Sequence, residues 1–116
     1  GLRDLGILSG RLPSLIKSEA YRPYFMHKTG HWLGIDVHDV GDYKVAENWR
    51  LLGAGMVTTI EPGVYILPGA RGVAKRWRGI GIRLEDDVHV SKDGPVVMSK
   101  DLPLLPDDIE RLMGSD

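Results

Sequence analysis

The sequence predicts an α+β fold, with helical segments towards both ends and short strands and turns between them. Residues 56–66 and 80–90 carry the runs and alternations of apolar side chains that indicate strands. Glycine occupies fifteen of the 116 positions and is spread along the chain, well above the typical share of ~7%. Because spaced glycines permit tight turns, bulges and close backbone approaches, they favour a β-rich body over a flexible linker.

The N-terminal part of the chain is predicted to be helical and then irregular. Apolar residues in 2–20 have helical spacing, which predicts two short helices broken near Gly10 or one helix that stops there. Residues 21–25 are predicted to be extended, because Pro23 disfavours helix at the residue before it. Residues 25–42 are dense in His, Gly and Asp without a clean period, which is typical of a functional loop with short strands at its edges.

The central strands are predicted to form hairpins. Residues 56–66 suggest a strand pair, with a turn or bulge at Pro62-Gly63. Residues 67–78 contain proline, two glycines and four basic residues, and we expect an exposed loop there.

The second strand region is followed by a turn and a helix. Within 80–90 the alternation places Arg83 and Glu85 on the same strand face. Residues 92–94 (Lys-Asp-Gly) predict a hairpin turn. A final helix is expected to begin at Pro106, because proline and acidic residues are favoured in a first helical turn.

Composition excludes several classes of function. The formal net charge of −1 gives no electrostatic reason to expect nucleic acid or an anionic membrane as a partner. No apolar run approaches the roughly 20 residues needed to cross a bilayer. The sequence has no cysteine, which excludes a disulfide framework, a thiolate metal site and a Cys nucleophile. A cysteine-free chain fits a cytoplasmic protein.

Three of the four histidines, His27, His31 and His38, fall within twelve positions. They are interleaved with glycine and aspartate, which is the kind of cluster found at metal and catalytic sites. A polar surface loop would give the same pattern, so both interpretations stay open at this point.

Two strand-borne carboxylates are the other candidates. Glu61 follows an apolar strand and precedes a Pro-Gly bend, although a solvent-facing Glu beside a turn is an equally simple interpretation. Glu85 shares its strand face with Arg83, and an exposed ion pair there would contribute under about 1 kcal/mol. Taken together, one imidazole and two carboxylates make half of a carboxylate-rich two-metal site, which can activate water at neutral pH. The residues alone therefore predict a metal hydrolase and do not indicate its substrate.

Three blocks of sequence resemble one known family. Residues 25–41, which include the run His-Trp-Leu-Gly-Ile-Asp-Val-His-Asp, residues 55–66 with Thr-Ile-Glu-Pro-Gly, and residues 78–88 with Gly-Ile-Arg-Leu-Glu-Asp look like Xaa-Pro aminopeptidases (aminopeptidase P) in order and approximate spacing. The resemblance extends from Gly1 to about Met113. The run in the first block favours this family over prolidase and methionine aminopeptidase.

The resemblance implies a creatinase/aminopeptidase-like pita-bread fold. Residues 1–116 would be the C-terminal portion of the catalytic domain and would form the C-terminal half of this fold. It also implies a pair of divalent ions, commonly manganese. His31 matches a histidine ligand, Glu61 a carboxylate ligand, and Glu85 the carboxylate that bridges both ions. Glu61 also matches the group that accepts a proton from the attacking water.

The resemblance assigns further roles around the metals. His27 and His38 match two histidines that hold substrate and assist proton transfer or polarise the scissile carbonyl. Arg83 matches an arginine that organises the site beside the bridging carboxylate. Trp32 and Tyr65 are expected to be packing residues. The implied substrate is a peptide with proline at its second position.

The sequence departs from the family in two ways. Residues 28–30 (Lys-Thr-Gly) replace a more usual small-residue segment, which we expect to alter loop packing. The two aspartate ligands of the family lie upstream, in the other half of the catalytic domain. We therefore expect the 116-residue chain alone to be inactive, and to expose an apolar seam that self-association or another chain covers. A prolidase fragment and a non-catalytic pita-bread binding module remain the alternatives.

Overall fold

A computed structural model describes residues 1–114, and the remaining two residues of the predicted 1–116 portion lie outside it. The chain divides into two compact units, each built from two separate stretches of sequence. The first unit is Gly1–Lys28 with Pro62–Arg83, and the second is Thr29–Glu61 with Leu84–Asp116.

Short helices and strands make up both units. In chain order the elements are α1 (Leu12–Lys17), a 3-10 turn (Arg22–Tyr24), β1 (Leu33–Gly34), β2 (Val37–His38), β3 (Lys44–Val45), β4 (Asn48–Trp49), β5 (Val57–Ile60), β6 (Gly63–Tyr65), a second 3-10 turn (Lys75–Trp77), β7 (Gly81–Arg83), β8 (Asp86–Ser91), β9 (Gly94–Val97) and α2 (Pro106–Met113). The mixture of helices and strands confirms the predicted α+β class.

The first unit begins with turns and one helix. Helix α1 starts after Gly10 and has proline in its first turn, where no amide donor is needed. Residues 2–6 form turns, so the helix predicted before Gly10 is wrong and only the second of the two predicted short helices forms. The prediction that residues 21–25 are extended is wrong for most of that segment. Arg22–Tyr24 form a 3-10 turn, because the fixed φ of proline also suits a tight turn, and Phe25 alone is extended, with φ −150°.

The core of the first unit packs around the antiparallel pair β6 and β7, in which Gly63 lies opposite Arg83. Its buried apolar side chains are Ile7, Ile66 and Val73, and burying each contributes about 1.5–3 kcal/mol. The expected exposed loop at 67–78 is therefore wrong in part, because Val73 is only 3% exposed and the loop folds back onto the core.

The second unit is built on a three-stranded antiparallel sheet in the order β5-β8-β9. Strands β8 and β9 form the predicted hairpin, in which Ser91 lies opposite Gly94. Gly94 has a φ of +125°, which a side chain at this position would disfavour. Hairpins β1-β2 and β3-β4 belong to the same unit, and a bridge between Trp32 and Thr58 joins the histidine-rich segment to β5.

Two predicted strand arrangements are wrong. Strands β5 and β6 do not pair with each other, because β5 pairs with β8 and β6 pairs with β7. Pro62 between them has no amide proton with which to continue a ladder. The single strand expected at 80–90 is interrupted at Leu84 and Glu85, so Arg83 and Glu85 do not share one continuous strand face.

Helix α2 begins at Pro106 with two aspartates in its first turn, as predicted. Its apolar residues Ile109, Leu112 and Met113 are exposed, and large apolar side chains elsewhere are exposed as well. Exposed apolar side chains are therefore present, whereas the apolar seam and its burial by another chain stay predictions. Among residues 1–114 no helix is long and apolar enough to cross a membrane.

Candidate metal centre

His31 is held in place through its own backbone. Its carbonyl accepts a hydrogen bond from the Thr59 amide at 2.8 Å, and the Trp32–Thr58 bridge continues this pairing by one residue. The close approach requires glycine at position 30, because a Cβ there would lie 2.0 Å from the Thr59 carbonyl oxygen. The Lys-Thr-Gly segment that departs from the family pattern is thus where the chain lies against β5.

Three predicted metal ligands of the second unit converge. His31, Glu61 and Glu85 each offer one donor atom, and these atoms lie within 4.8 Å of one another. His31 Nε2 is 3.4 Å from Glu61 Oε1, and both side chains are largely buried, with 14% and 12% exposed. That separation suits two ligands of one ion with bonds of about 2.1 Å. One imidazole with two carboxylates is a donor set that manganese and zinc accept, so the residues present fit a divalent ion.

A hydrogen bond orients the His31 ring for metal binding. Its Nδ1 lies 3.0 Å from the carbonyl oxygen of Trp32. Because a carbonyl can only accept, the Nδ1 atom donates this hydrogen bond, which leaves Nε2 as the ring atom that faces Glu61 and can bind an ion. A histidine ligand that donates its other ring N–H in this way has both its tautomer and its orientation set.

Glu61 lies just after β5 and is held at both ends. Its amide donates to the Thr29 carbonyl at 2.7 Å. Its Oε1 accepts a hydrogen bond from the Thr59 hydroxyl at 3.2 Å. Glu85, by contrast, is exposed, in the two-residue stretch between β7 and β8.

His38 stands beside the metal cluster. The centroid of its ring is 4.2 Å from that of His31, and the rings are tilted by 57°. Val37, immediately before it, has a φ of +65°, rare for a β-branched residue. The His38 amide donates to the Asp36 carbonyl at 2.7 Å across that residue, the geometry of a strained three-residue turn. Gly34 permits the turn, because a Cβ there would lie 2.3 Å from the His38 carbonyl.

The remaining predicted site residues belong to the first unit. His27 Nδ1 lies 2.7 Å from the Lys28 carbonyl oxygen, and its Nε2 lies 2.7 Å from the Tyr65 hydroxyl. Tyr65 therefore does more than pack, because in the neutral ring Nε2 accepts the hydroxyl proton of Tyr65. Arg83 ends strand β7 and is exposed. The roles predicted for His27 and Arg83 stay predictions.

Sequence reasoning missed Thr59, which contacts this centre, and Tyr43, which contacts the neighbouring Trp32. Thr59 hydrogen-bonds both His31 and Glu61. Its position two residues before Glu61, at the end of a predicted strand, was a signal, since residues two apart in an extended segment share a face. Tyr43 accepts the Trp32 amide proton through its hydroxyl at 3.0 Å and stacks on the Trp32 ring at 4.5 Å. No local pattern predicts that contact, because it spans eleven residues.

The convergent donor set defines a candidate divalent-metal site. Residues 5–92 match the sequence model described as metallopeptidase family M24, and the chain belongs to this family. The prediction of the family and of its pita-bread fold is confirmed.

Individual relatives are similar over nearly the whole chain. The chain is 49% identical to the Xaa-Pro aminopeptidase of Escherichia coli (strain K12), covering 97% of this chain and 25% of that protein. The structure of Pseudomonas aeruginosa aminopeptidase PepP matches with a TM-score of 0.92 and 51% identity, covering 98% of this chain and 26% of that one. A structure of E. coli aminopeptidase P with the inhibitor Pro-Leu matches with a TM-score of 0.88 and 47% identity, covering 98% of this chain and 26% of that one. The chain thus spans about a quarter of the length of these proteins.

Proposed function

We propose that the complete protein containing this chain is a Xaa-Pro aminopeptidase, which hydrolyses the peptide bond between an N-terminal residue and a following proline. The observation that carries the proposal is the convergence of His31, Glu61 and Glu85 within 4.8 Å. The proposed substrate class is supported by the similarity of the chain to proteins named Xaa-Pro aminopeptidase, which reaches 49% identity for the E. coli protein.

Two divalent ions, which we propose to be manganese, are the cofactors of this function. His31 and Glu61 would hold one ion, and Glu85 would bridge the pair. When bound, such ions polarise the scissile carbonyl and lower the pKa of a water molecule so that it can attack. The largely buried pair of His31 and Glu61 supports this assignment, because a partly dry site strengthens charge interactions.

The protein's own residues would position substrate and move protons. Glu61 would accept the proton of the attacking water, since its carboxylate is an acceptor held by Thr59. His38 lies beside the His31 ring, within reach of a peptide bound there. His27 would hold substrate or pass a proton, supported by its hydrogen bond to the Tyr65 hydroxyl. Arg83 would organise the carboxylate side of the site.

The 116-residue chain alone is proposed to be inactive. Among residues 1–114 the one group of three or more convergent donors is His31, Glu61 and Glu85. Two ions sharing three protein ligands have many open positions, so we expect weak binding. Steady release of the first residue from an Xaa-Pro peptide by the purified chain with Mn²⁺ would contradict this.

The experiment that tests the function uses the complete protein with Mn²⁺ and Glu61→Gln. We expect the wild type to cleave Xaa-Pro-Yaa tripeptides, and the variant to lose at least ~10²-fold in kcat because the proton acceptor is gone. Glu110→Gln, on the exposed face of α2, is the matched control and should retain full activity. Cleavage of Xaa-Pro dipeptides alone would identify a prolidase instead, and absence of any hydrolysis would favour a binding module.

Two further proposals concern the protein's surroundings. The exposed apolar side chains support association through that surface, with a second copy or the rest of the complete protein. Sedimentation at high concentration tests this, and a strictly monomeric 116-residue chain would contradict it. A cytoplasmic location, suggested by the cysteine-free composition, is tested by cell fractionation.

A further inference from the structure

We infer that Thr59 is a positioning residue that couples the two metal ligands His31 and Glu61 through its hydroxyl group. The inference rests on the proposed function in one respect, that these two side chains hold a divalent ion. It concerns a residue that would not touch the ion itself, and it assigns the geometry of the pair to one hydroxyl on β5.

The burial of Thr59 is the first observation. Its side chain is 1% exposed and is the most completely buried among the residues that the structure describes. A buried hydroxyl costs free energy unless hydrogen bonds replace its water. A valine of nearly the same shape would fill this position without that cost. The hydroxyl therefore has partners that account for its presence.

The hydrogen bonds of the hydroxyl are the second observation. It accepts the His31 amide proton at 3.0 Å. Its single proton faces two acceptors, Glu61 Oε1 at 3.2 Å and the His31 carbonyl at 3.4 Å. That carbonyl already accepts from the Thr59 amide at 2.8 Å and from the Thr58 hydroxyl at 2.9 Å. The carboxylate is nearer and charged, and a charged acceptor makes the stronger bond. The Thr59 hydroxyl therefore donates its hydrogen bond to the Glu61 carboxylate.

The consequence is a hydroxyl bonded to both ligand-bearing residues at once. It ties the peptide of His31 to the carboxylate of Glu61, and the two donor atoms are then 3.4 Å apart. The position of Glu61 directly after the last residue of β5 makes this possible, because residues two apart along an extended segment point to the same face. Thr59 thus restricts rotation of the Glu61 carboxylate before an ion arrives. Groups of this kind typically change metal affinity by about 10–100-fold when removed.

The test measures Mn²⁺ binding by calorimetry on the metal-free complete protein, together with thermal unfolding and peptide hydrolysis. We expect Thr59→Val to weaken the Kd for Mn²⁺ by about 10–100-fold. Thr59→Ser, which keeps the hydroxyl, should stay within about threefold of the wild type. Ser91→Ala is the matched control, because it removes a part-buried hydroxyl of β8 that donates to the Gly94 carbonyl in the β8-β9 turn, and it should also stay within about threefold.

Several results would overturn the inference. The inference is wrong if Thr59→Val binds Mn²⁺ as tightly as the wild type. It is also wrong if Thr59→Ser loses as much Mn²⁺ affinity as Thr59→Val, because packing rather than the hydroxyl would then matter. If Thr59→Val does not fold, Thr59→Cys replaces it, and the weaker S–H donor should give an intermediate affinity, whereas wild-type affinity contradicts the inference. Weakened Mn²⁺ binding in Thr59→Val with no hydrolysis by the wild type would refute the proposed peptidase and leave this inference standing. Hydrolysis by the wild type together with unchanged Mn²⁺ binding in Thr59→Val would support the proposed peptidase and refute this inference.

Discussion

Replacing Gly30 by alanine should separate the histidine-bearing segment from strand β5. The added Cβ would lie 2.0 Å from the carbonyl oxygen of Thr59 and 3.0 Å from its carbon. Both atoms belong to backbone, so no flexible side chain can give way. A tolerable contact requires the two segments to move apart by about 1 Å.

The cost follows from the hydrogen bonds that join the same segments. The Thr59 amide donates to the His31 carbonyl at 2.8 Å, and the Glu61 amide donates to the Thr29 carbonyl at 2.7 Å. A displacement of about 1 Å takes both beyond the ~3.2 Å limit of an N–H···O bond. Each broken bond with a buried partner costs about 1–3 kcal/mol. Alanine offsets about 0.4–1 kcal/mol of this loss, because it lowers the conformational entropy of the unfolded chain. For the two bonds together we expect a net loss of about 1–5 kcal/mol.

Urea unfolding of the complete protein measures this loss, and a Mn²⁺ titration should show an affinity at least ~10-fold weaker, because His31 and Glu61 lie on the two separated segments. Gly69→Ala is the matched control, since it has no atom within 4 Å of the added Cβ and no left-handed φ. An unchanged urea midpoint and an unchanged Kd in Gly30→Ala would refute the reasoning.

Two smaller perturbations probe the neighbouring loops. Tyr43→Phe keeps the ring stacked on Trp32 but removes the acceptor of the Trp32 amide, so we expect a loss of about 1 kcal/mol and faster hydrogen exchange at that amide; an unchanged exchange rate argues against the contact. Val37→Gly removes the strain of a φ of +65°, worth about 1–3 kcal/mol, against an entropic cost of about 0.5–1 kcal/mol. The variant should therefore be equally or more stable in urea yet have a lower kcat, because His38 loses its fixed backbone; destabilisation by more than 1 kcal/mol would contradict the strain argument.

Much of the local structure follows from the sequence. The proline and aspartates at 106–108 specify the start of α2, and the Lys-Asp-Gly step specifies the β8-β9 turn, because these residues act through their own backbone preferences. The three sequence blocks are also sufficient for the family, which the match over 5–92 confirms. Local chemistry is readable because it needs no distant partner.

Strand pairing was decided only by the tertiary structure. An alternating pattern reports which face of a strand is apolar and carries no information on the neighbouring strand. The pattern therefore could not show that β5 pairs with β8, or that the stretch 80–90 breaks at Leu84 and Glu85. The burial of Val73 in a segment rich in Gly, Pro and basic residues depends likewise on packing against residues far away in the chain.

The metal centre shows the same division. The motifs of His31, Glu61 and Glu85 predict them as ligands through the family resemblance, and the donor atoms that a divalent ion needs are a property of residue type. Their convergence within 4.8 Å and the hydrogen bond of the buried Thr59 hydroxyl to the His31 amide, 28 residues earlier in the sequence, arise from contacts between separate segments. Residue chemistry can be read along the chain, whereas distances and hydrogen-bond partners exist only once the segments have been brought together by folding.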